Sequence, residues 1–290
     1  MSEVPVGRAM SGLGGTATRA STLVRVDATT RQVPVRRSRD GTDTIAVDEV
    51  AEEAPIAFTY HNIPHVVMLA TPADLEDLAV GFTVSEALVA NASEISSVDV
   101  IRSADAIEVR VGVASERVSQ IVKRQRNLTG RTGCGLCGVE TVEEAIRRPP
   151  AVGAGVRVTS AELHAALAEL ETRQRLNART GSVHAAAWVR PGRGVEIVRE
   201  DVGRHNALDK VIGALLRSST DPAAGFAIVT SRASYEMVQK TATAGIAFLV
   251  AVSAPTGLAI RLAQACGLTL VGFARAHQHV VYAGAERLDP

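Results

Sequence analysis

The sequence predicts an α/β protein in two parts: a small mixed α+β unit over 44–126 and a layered α/β domain over 139–290, joined by a glycine-rich stretch over 127–138. Three observations carry this. In the C-terminal half, apolar runs at 184–189, 195–198, 226–230, 247–252 and 269–273 alternate with helical patterns at about 205–216, 234–244 and 256–266. That alternation is the mark of a layered domain with a largely parallel sheet. The N-terminal half instead shows short strand signals with period-two alternation around single helices. Between the halves, Thr129–Gly138 is punctuated by four glycines and breaks any periodic pattern.

Taken in order, residues 1–43 are rich in Ser, Thr, Arg and Gly, and read mostly as a disordered arm, with structure beginning near Thr44. Pro55–Tyr60 and His65–Ala70 read as paired strands across a short Asn62-Ile63-Pro64 connection. Thr71 as N-cap and Pro72 at the first helical position then open a helix, with Leu75, Leu78, Ala79 and Phe82 on one face. Ile107, Val109 and Val111 alternate with Glu108 and Arg110, the pattern of a strand with one wet face. A short helix bearing Val118, Ile121 and Val122 follows and ends in Lys123-Arg124-Gln125-Arg126. Past the glycine-rich stretch, helices are expected near 139–147 and 160–174, the second with Leu163, Ala166, Leu167 and Leu170 on one side.

Composition removes several function classes. With 46% apolar and 21% charged residues, and 31 basic side chains against 31 acidic ones, the chain is neither wholly disordered nor a supercharged nucleic-acid binder. One Trp, three Tyr and five Phe are too few for an extended base-stacking platform. Three cysteines point to a reducing compartment rather than a disulfide framework. No apolar signal segment opens the chain, and the uncharged run Thr241–Ile260 is broken by Gly245, Ser253, Pro255 and Gly257, so it reads as strand, turn and helix. The expectation is a cytoplasmic protein without a membrane or nucleic-acid partner.

Four segments carry chemistry. In Gly133-Cys134-Gly135-Leu136-Cys137-Gly138, three glycines leave two thiols unshielded, and Lys123, Arg124, Arg126 and Arg131 favour a thiolate if they fold over the loop. This CxxC suits half of a zinc site, a dithiol-exchange pair, or a sulfur-carrying thiol that forms and passes on a persulfide. A second CxxC or CxxH is missing for zinc, and Cys266 falls in a predicted core helix. For dithiol exchange the pair should follow a strand and open a helix, which it does not. Delivery of sulfur between two protein sites suits a flexible exposed loop best.

The second segment, Arg199–Lys210, packs polar residues around Gly203 just before a helix, a turn that presents backbone N–H groups to an anion. The third, Thr230–Glu236, places Ser231, Arg232 and Ser234 at the carboxyl end of an apolar strand, where α/β sheets receive ligands. The fourth is Gly272–His279. Its His277 and His279 lie on one side of an extended chain, but without a carboxylate partner they read as a polar strand end rather than a metal site.

Together these segments resemble the FdhD family, accessory sulfurtransferases for molybdenum-dependent formate dehydrogenases. The resemblance runs from about Val47 to Arg287 through TPADLEDLAVGFTVSEAL, TGCGLCG, VREDVGRHNALDKVIG, SRASYEMVQK and VSAPTGLAIRLAQACGLTLVGFAR. It implies a cytoplasmic homodimer whose C-terminal domain resembles the cytidine-deaminase fold. It implies that a cysteine desulfurase loads sulfur onto Cys134, with Cys137 as helper or second acceptor. The sulfur then passes to the molybdenum bis(molybdopterin guanine dinucleotide) cofactor, held as a bound substrate and destined for formate dehydrogenase. The family's cofactor-binding stretch falls on Phe273, Ala274, Arg275, Ala276, His277 and Gln278. Here Ala276-His277-Gln278 stands where the family often has a Gly-Gly-Arg-like basic ending, although Arg275 remains.

On this reading Arg204, His205 and Asn206, and Ser231, Arg232 and Ser234, complete the cofactor site at one sheet edge, and no structural metal is expected. Zinc deaminase catalysis is excluded. His184-Ala185-Ala186 lacks the glutamate two residues on, no proline precedes Cys134, and the CxxC comes before the histidine. Two functional classes stay open: a sulfurtransferase turning over persulfide on Cys134, and a non-catalytic cofactor escort or a zinc or dithiol module.

Overall fold

The computed structural model describes residues 28–103, 106–126 and 148–290. It begins with an antiparallel hairpin, β1 (Thr30–Arg39) and β2 (Thr42–Ala51). The two-residue turn Asp40-Gly41 has φ of 49° and 78°, the left-handed pair that a tight hairpin needs. A four-stranded sheet follows, built from β3 (Ala54–Tyr60), β4 (Ile63–Ala70), β5 (Ile95–Arg102) and β6 (Ile107–Val113) in the order β4-β3-β6-β5. One face of this sheet buries Ile56, Phe58, Val109 and Val111 against α1 (Leu75–Ser85), which contributes Leu75, Leu78 and Ala79. The helix α2 (Ser115–Arg126) closes the unit with Ile121.

Residues beyond 148 form a three-layer domain. After β7 (Val158–Thr159) come α3 (Ser160–Arg173) and α4 (Arg175–Thr180), then β8 (His184–Arg190), β9 (Gly194–Asp201), α5 (Arg204–Arg217), β10 (Phe226–Val229), α6 (Tyr235–Thr243), β11 (Phe248–Ala251), α7 (Gly257–Cys266), β12 (Thr269–Arg275), β13 (Gln278–Ala283) and β14 (Leu288–Asp289). Thr159 and Glu162 start α3 with a reciprocal capping box. The sheet runs β13-β12-β11-β10-β8-β9. Every residue of β10 and β11 is buried, because α3 covers one face of the sheet through Leu163 and Leu170 while α5, α6 and α7 cover the other through Leu208, Val211, Met237 and Leu262.

The two parts meet where α1 crosses α5. A Cβ on Gly213 would lie 1.8 Å from the carbonyl oxygen of Asp77, and one on Gly81 would lie 1.7 Å from that of Asp209. Glycine at both positions lets the backbones touch. Polar groups then bind the seam. Asp77 receives Arg199 and Arg217, and Lys240 reaches Asp209, Glu86 and Ser85. Lys210 sits 2.7 Å from Asp201, both fully buried.

Several expectations change. Of the arm expected over 1–43, the described part is not disordered: β1 occupies Thr30–Arg39 and pairs with β2, and Asp40-Gly41 was its signal, while residues 1–27 lie outside the described residues. The β3–β4 turn is His61-Asn62, with positive φ at both residues, so Ile63 and Pro64 belong to β4 rather than to the connection. Thr71 does not cap α1, which begins at Leu75 after Asp74. Instead the buried Thr71 donates its N–H to Asp201 and accepts from Val202 N–H and Lys210 Nζ. The large sheet is mixed, not largely parallel: only the β10–β11 and β11–β12 pairings are parallel, while β10–β8, β8–β9 and β12–β13 are antiparallel. The helix expected near 139–147 and the stretch 127–138 lie outside the described residues. Among the described residues no helix is long and apolar enough to cross a membrane.

Candidate functional site

Because β8 is antiparallel to both β9 and β10, the strands β9, β10, β11 and β12 all end at one edge of the sheet. This rim gathers the three segments singled out in the sequence: Asp201–Asn206 after β9, Thr230–Ser234 after β10, and Phe273–Gln278 at the end of β12 and the start of β13. With roughly 4.8 Å between neighbouring strands, successive segments stand about 10 Å apart. Backbone contacts make the rim continuous. Thr256 N–H donates to Ala233 at 3.0 Å, and Phe273 N–H donates to Ser253 at 3.2 Å.

The segments differ in what they leave available. In the first, much of the polar run is structural. Asp201 accepts Gly203 N–H at 2.8 Å and Asn206 Nδ2 at 3.0 Å, and Asn206 also donates to Leu69 at 2.9 Å. Asn206 is therefore a brace between the two parts of the chain rather than an open ligand donor. Arg204 and His205 remain. They open α5, whose N-cap Gly203 has no side chain to satisfy the first amides. Among the described residues Arg204 Nε is buried without a hydrogen-bond partner, an arrangement that native interiors seldom leave unexplained.

His205 lies beside it with a buried Nε2 that also lacks a hydrogen-bond partner among the described residues, 3.9 Å from Glu236 Oε2. Burial, then the positive charges of Lys240 and Arg204, push the His205 imidazole down to about 4, so it is neutral at pH 7. His184, at the start of β8, is held below its ordinary value by burial and by Arg204. Behind them, Asp209 accepts Ser85 Oγ at 2.6 Å and Lys240 Nζ at 2.8 Å. Burial pushes the Asp209 carboxyl up, against the pull of Lys240.

In the second segment Arg232 is exposed, while Ser231 is buried and donates its hydroxyl to the Arg232 carbonyl at 3.0 Å. Ser234 is the N-cap residue of α6 but makes no side-chain cap; its hydroxyl donates to Glu236 at 2.7 Å. Both hydroxyls are thus engaged within the chain. In the third segment β12 carries a bulge after Gly272, and Phe273 adopts a left-handed φ of 50° with its ring 40% exposed. A large residue in that conformation is strained, and such strain collects at functional sites. Arg275, Ala276, His277 and Gln278 are exposed. His279 turns inward, with Nδ1 at 3.2 Å from His164 Nε2 on α3, so it is not part of an exposed strand end.

Cys134 and Cys137 lie outside the described residues. Cys266 ends α7 in the core, where burial raises its thiol. Among the described residues no group of three or more His, Cys, Asp or Glu side chains is arranged to hold a metal ion. Sequence reasoning missed Ser85, Glu86, Asp209, Glu236 and Lys240. Their signal was present in Lys210 and Lys240, cations set within apolar helices, where a charge survives only if paired.

Comparison with known proteins adds to this geometry. The model of the FdhD/NarQ family matches residues 51–289. A protein of Cupriavidus necator named sulfur carrier protein FdhD is 51% identical over 255 residues, covering 88% of each chain. One of the same name from Xanthomonas campestris pv. campestris is 47% identical over 280 residues, 97% of each. Among solved structures, a formate dehydrogenase accessory protein from Desulfotalea psychrophila aligns with a TM-score of 0.72 and 24% identity, covering 90% of this chain and all of that one. That last likeness concerns the fold.

Proposed function

The chain belongs to the FdhD/NarQ family, and from that premise we propose that it is a sulfur carrier serving a molybdenum-dependent formate dehydrogenase. The observation that carries this reading is near-half identity, over almost the full length, to proteins named sulfur carriers. Cys134 is the acceptor. Its thiolate attacks the outer sulfur of a persulfide on a cysteine desulfurase, the S–S bond breaks, and the desulfurase cysteine leaves as thiolate. Release of that sulfur as sulfide requires two electrons. Cys137 supplies them by closing a Cys134–Cys137 disulfide, which a cellular dithiol then reopens.

The acceptor of the sulfur is the guanine dinucleotide form of the molybdenum cofactor, bound along the rim as substrate. Three features support this. Arg204, Arg232 and Arg275 have no ion-pair partners among the described residues. The N-termini of α5 and α6 lack side-chain caps, so their amides can meet phosphate oxygens. The segments are about 10 Å apart, which suits an elongated dinucleotide better than one phosphate. The protein works in the cytoplasm as a homodimer on this reading, with the desulfurase and the apo-dehydrogenase as successive partners.

Intact mass after incubation with a cysteine desulfurase and cysteine tests the carrier. Wild type should gain one sulfur atom, removable by dithiothreitol, and Cys134→Ala should gain none. In calorimetric titration with GDP as half of the cofactor, Arg232→Ala should bind roughly tenfold more weakly, since a partly shielded charged contact is worth about 1.5 to 3 kcal/mol. Cys134→Ala should bind as wild type does. Equal sulfur uptake by Cys134→Ala refutes Cys134 as the acceptor, no uptake by wild type refutes the carrier and leaves a cofactor escort, and absence of heat with GDP refutes the rim.

A further inference from the structure

A cavity of about 400 Å³ opens on the free edge of β9, between α4 and the segment that leads into α1. Four guanidinium groups line it, from Arg173, Arg175, Arg179 and Arg199, against the carboxylates of Asp74 and Glu200. Not all of this charge is available. Arg199 is committed to Asp77 and to Asp74. Glu200 is equally occupied, accepting the backbone N–H groups of Leu176 at 2.8 Å and Asn177 at 2.7 Å.

Among the described residues the other three arginines keep donors free. Arg175 is exposed and makes no hydrogen bond or ion pair among the described residues. Arg173 uses Nη1 for Glu169 and the Val195 carbonyl, which leaves Nε and Nη2. Arg179 gives Nε and Nη2 to Glu49 and Nη2 to Thr30, which leaves Nη1. Leu176 and Val198 add apolar wall.

We propose that this cleft is an anion site separate from the sheet rim, and that it takes a phosphate monoester with a small organic body. Planar guanidinium forks are the side chains best matched to phosphate oxygens, and here three arginines that keep unbonded N–H groups line one hollow. The volume exceeds that of a bare phosphate and falls within the range of small-molecule pockets. The chain already shows the chemistry. Glu49, carried on the exposed strand β2, lays its carboxylate on Arg179, and this guanidinium holds the Glu49 carboxyl below its usual range. Glu49 is thus a resident anion that an incoming phosphate must compete with.

Calorimetric titration of the full chain with ribose 5-phosphate at low ionic strength tests this, with ribose and inorganic phosphate as comparisons. Wild type should bind ribose 5-phosphate saturably, inorganic phosphate more weakly, and ribose not at all. Arg175→Ala should weaken the phosphate ester about tenfold. Glu49→Gln should tighten it about two- to fivefold, the range expected when a surface pair stops competing. Arg232→Ala should leave it unchanged. No binding by wild type, equal binding by Arg175→Ala, or a loss in Arg232→Ala as large as in Arg175→Ala overturns the proposal. Only the loss in Arg232→Ala bears on the rim, since it would place the phosphate ester there.

Discussion

His205 shows how one residue links the site to stability. Its imidazole is neutral in the native state because burial, Lys240 and Arg204 disfavour the proton, while an unfolded chain titrates near the ordinary value of 6.5. The sign follows. Stability from this group is complete above pH 6.5 and is lost as the pH falls toward 4, by about 3 kcal/mol across the window. His205→Gln should flatten the profile of unfolding free energy between those limits, measured by urea titration at stepped pH. Superimposable profiles for wild type and variant would remove His205 from that role. The neighbouring residues also define what the sequence could convey. Arg204 and His205 were legible as a polar turn before a helix, but Asn206 and Asp201 in the same run brace the chain. Two of their partners, Leu69 and Thr71, lie more than a hundred residues away in the chain, contacts that no local pattern encodes.

At the scale of elements, periodicity was a sound guide wherever a strand or helix buries a face. The expected runs at 184–189, 226–230 and 269–273 are β8, β10 and β12, and the helical patterns became α5, α6 and α7. Strand direction was hidden, because an apolar run reads the same both ways; the antiparallel pairings of β8, β9 and β13 had to come from the fold. The hairpin β1–β2 escaped for another reason. Its strands are mostly exposed, and their short alternations, Val33/Val35 and Ile45/Val47, sit in a stretch otherwise rich in Arg, Thr and Asp, so only Asp40-Gly41 announced the hairpin. The α1–α5 crossing was equally silent, since a glycine in a helix does not name its partner. Gly213→Ala should cost about 3 kcal/mol or more in urea denaturation, because the new Cβ meets main chain that cannot step aside. Gly153→Ala, with nothing within 4 Å and an ordinary backbone, should stay within about 0.5 kcal/mol of wild type. Equal losses at the two positions would refute the crossing as the cause.

At the scale of the molecule, buried polar groups tie the four-stranded sheet and the six-stranded one into a single unit. Removing one partner of such a pair costs more than either part readily tolerates. The two parts should therefore unfold together. Trp188, the single tryptophan, is fully buried in the six-stranded sheet and reports on that part, while far-ultraviolet dichroism reports on the whole chain. The two signals should give coincident urea transitions, and a second phase in the dichroism alone would contradict this. The same seam sets a timetable during synthesis. Asp77 meets Arg217 only after 140 further residues have been made, which at 5–20 residues per second is roughly 7 to 30 seconds. Through that interval the outer side of α1, with its carboxylate and its bare glycine, waits on the ribosome for a surface that does not yet exist.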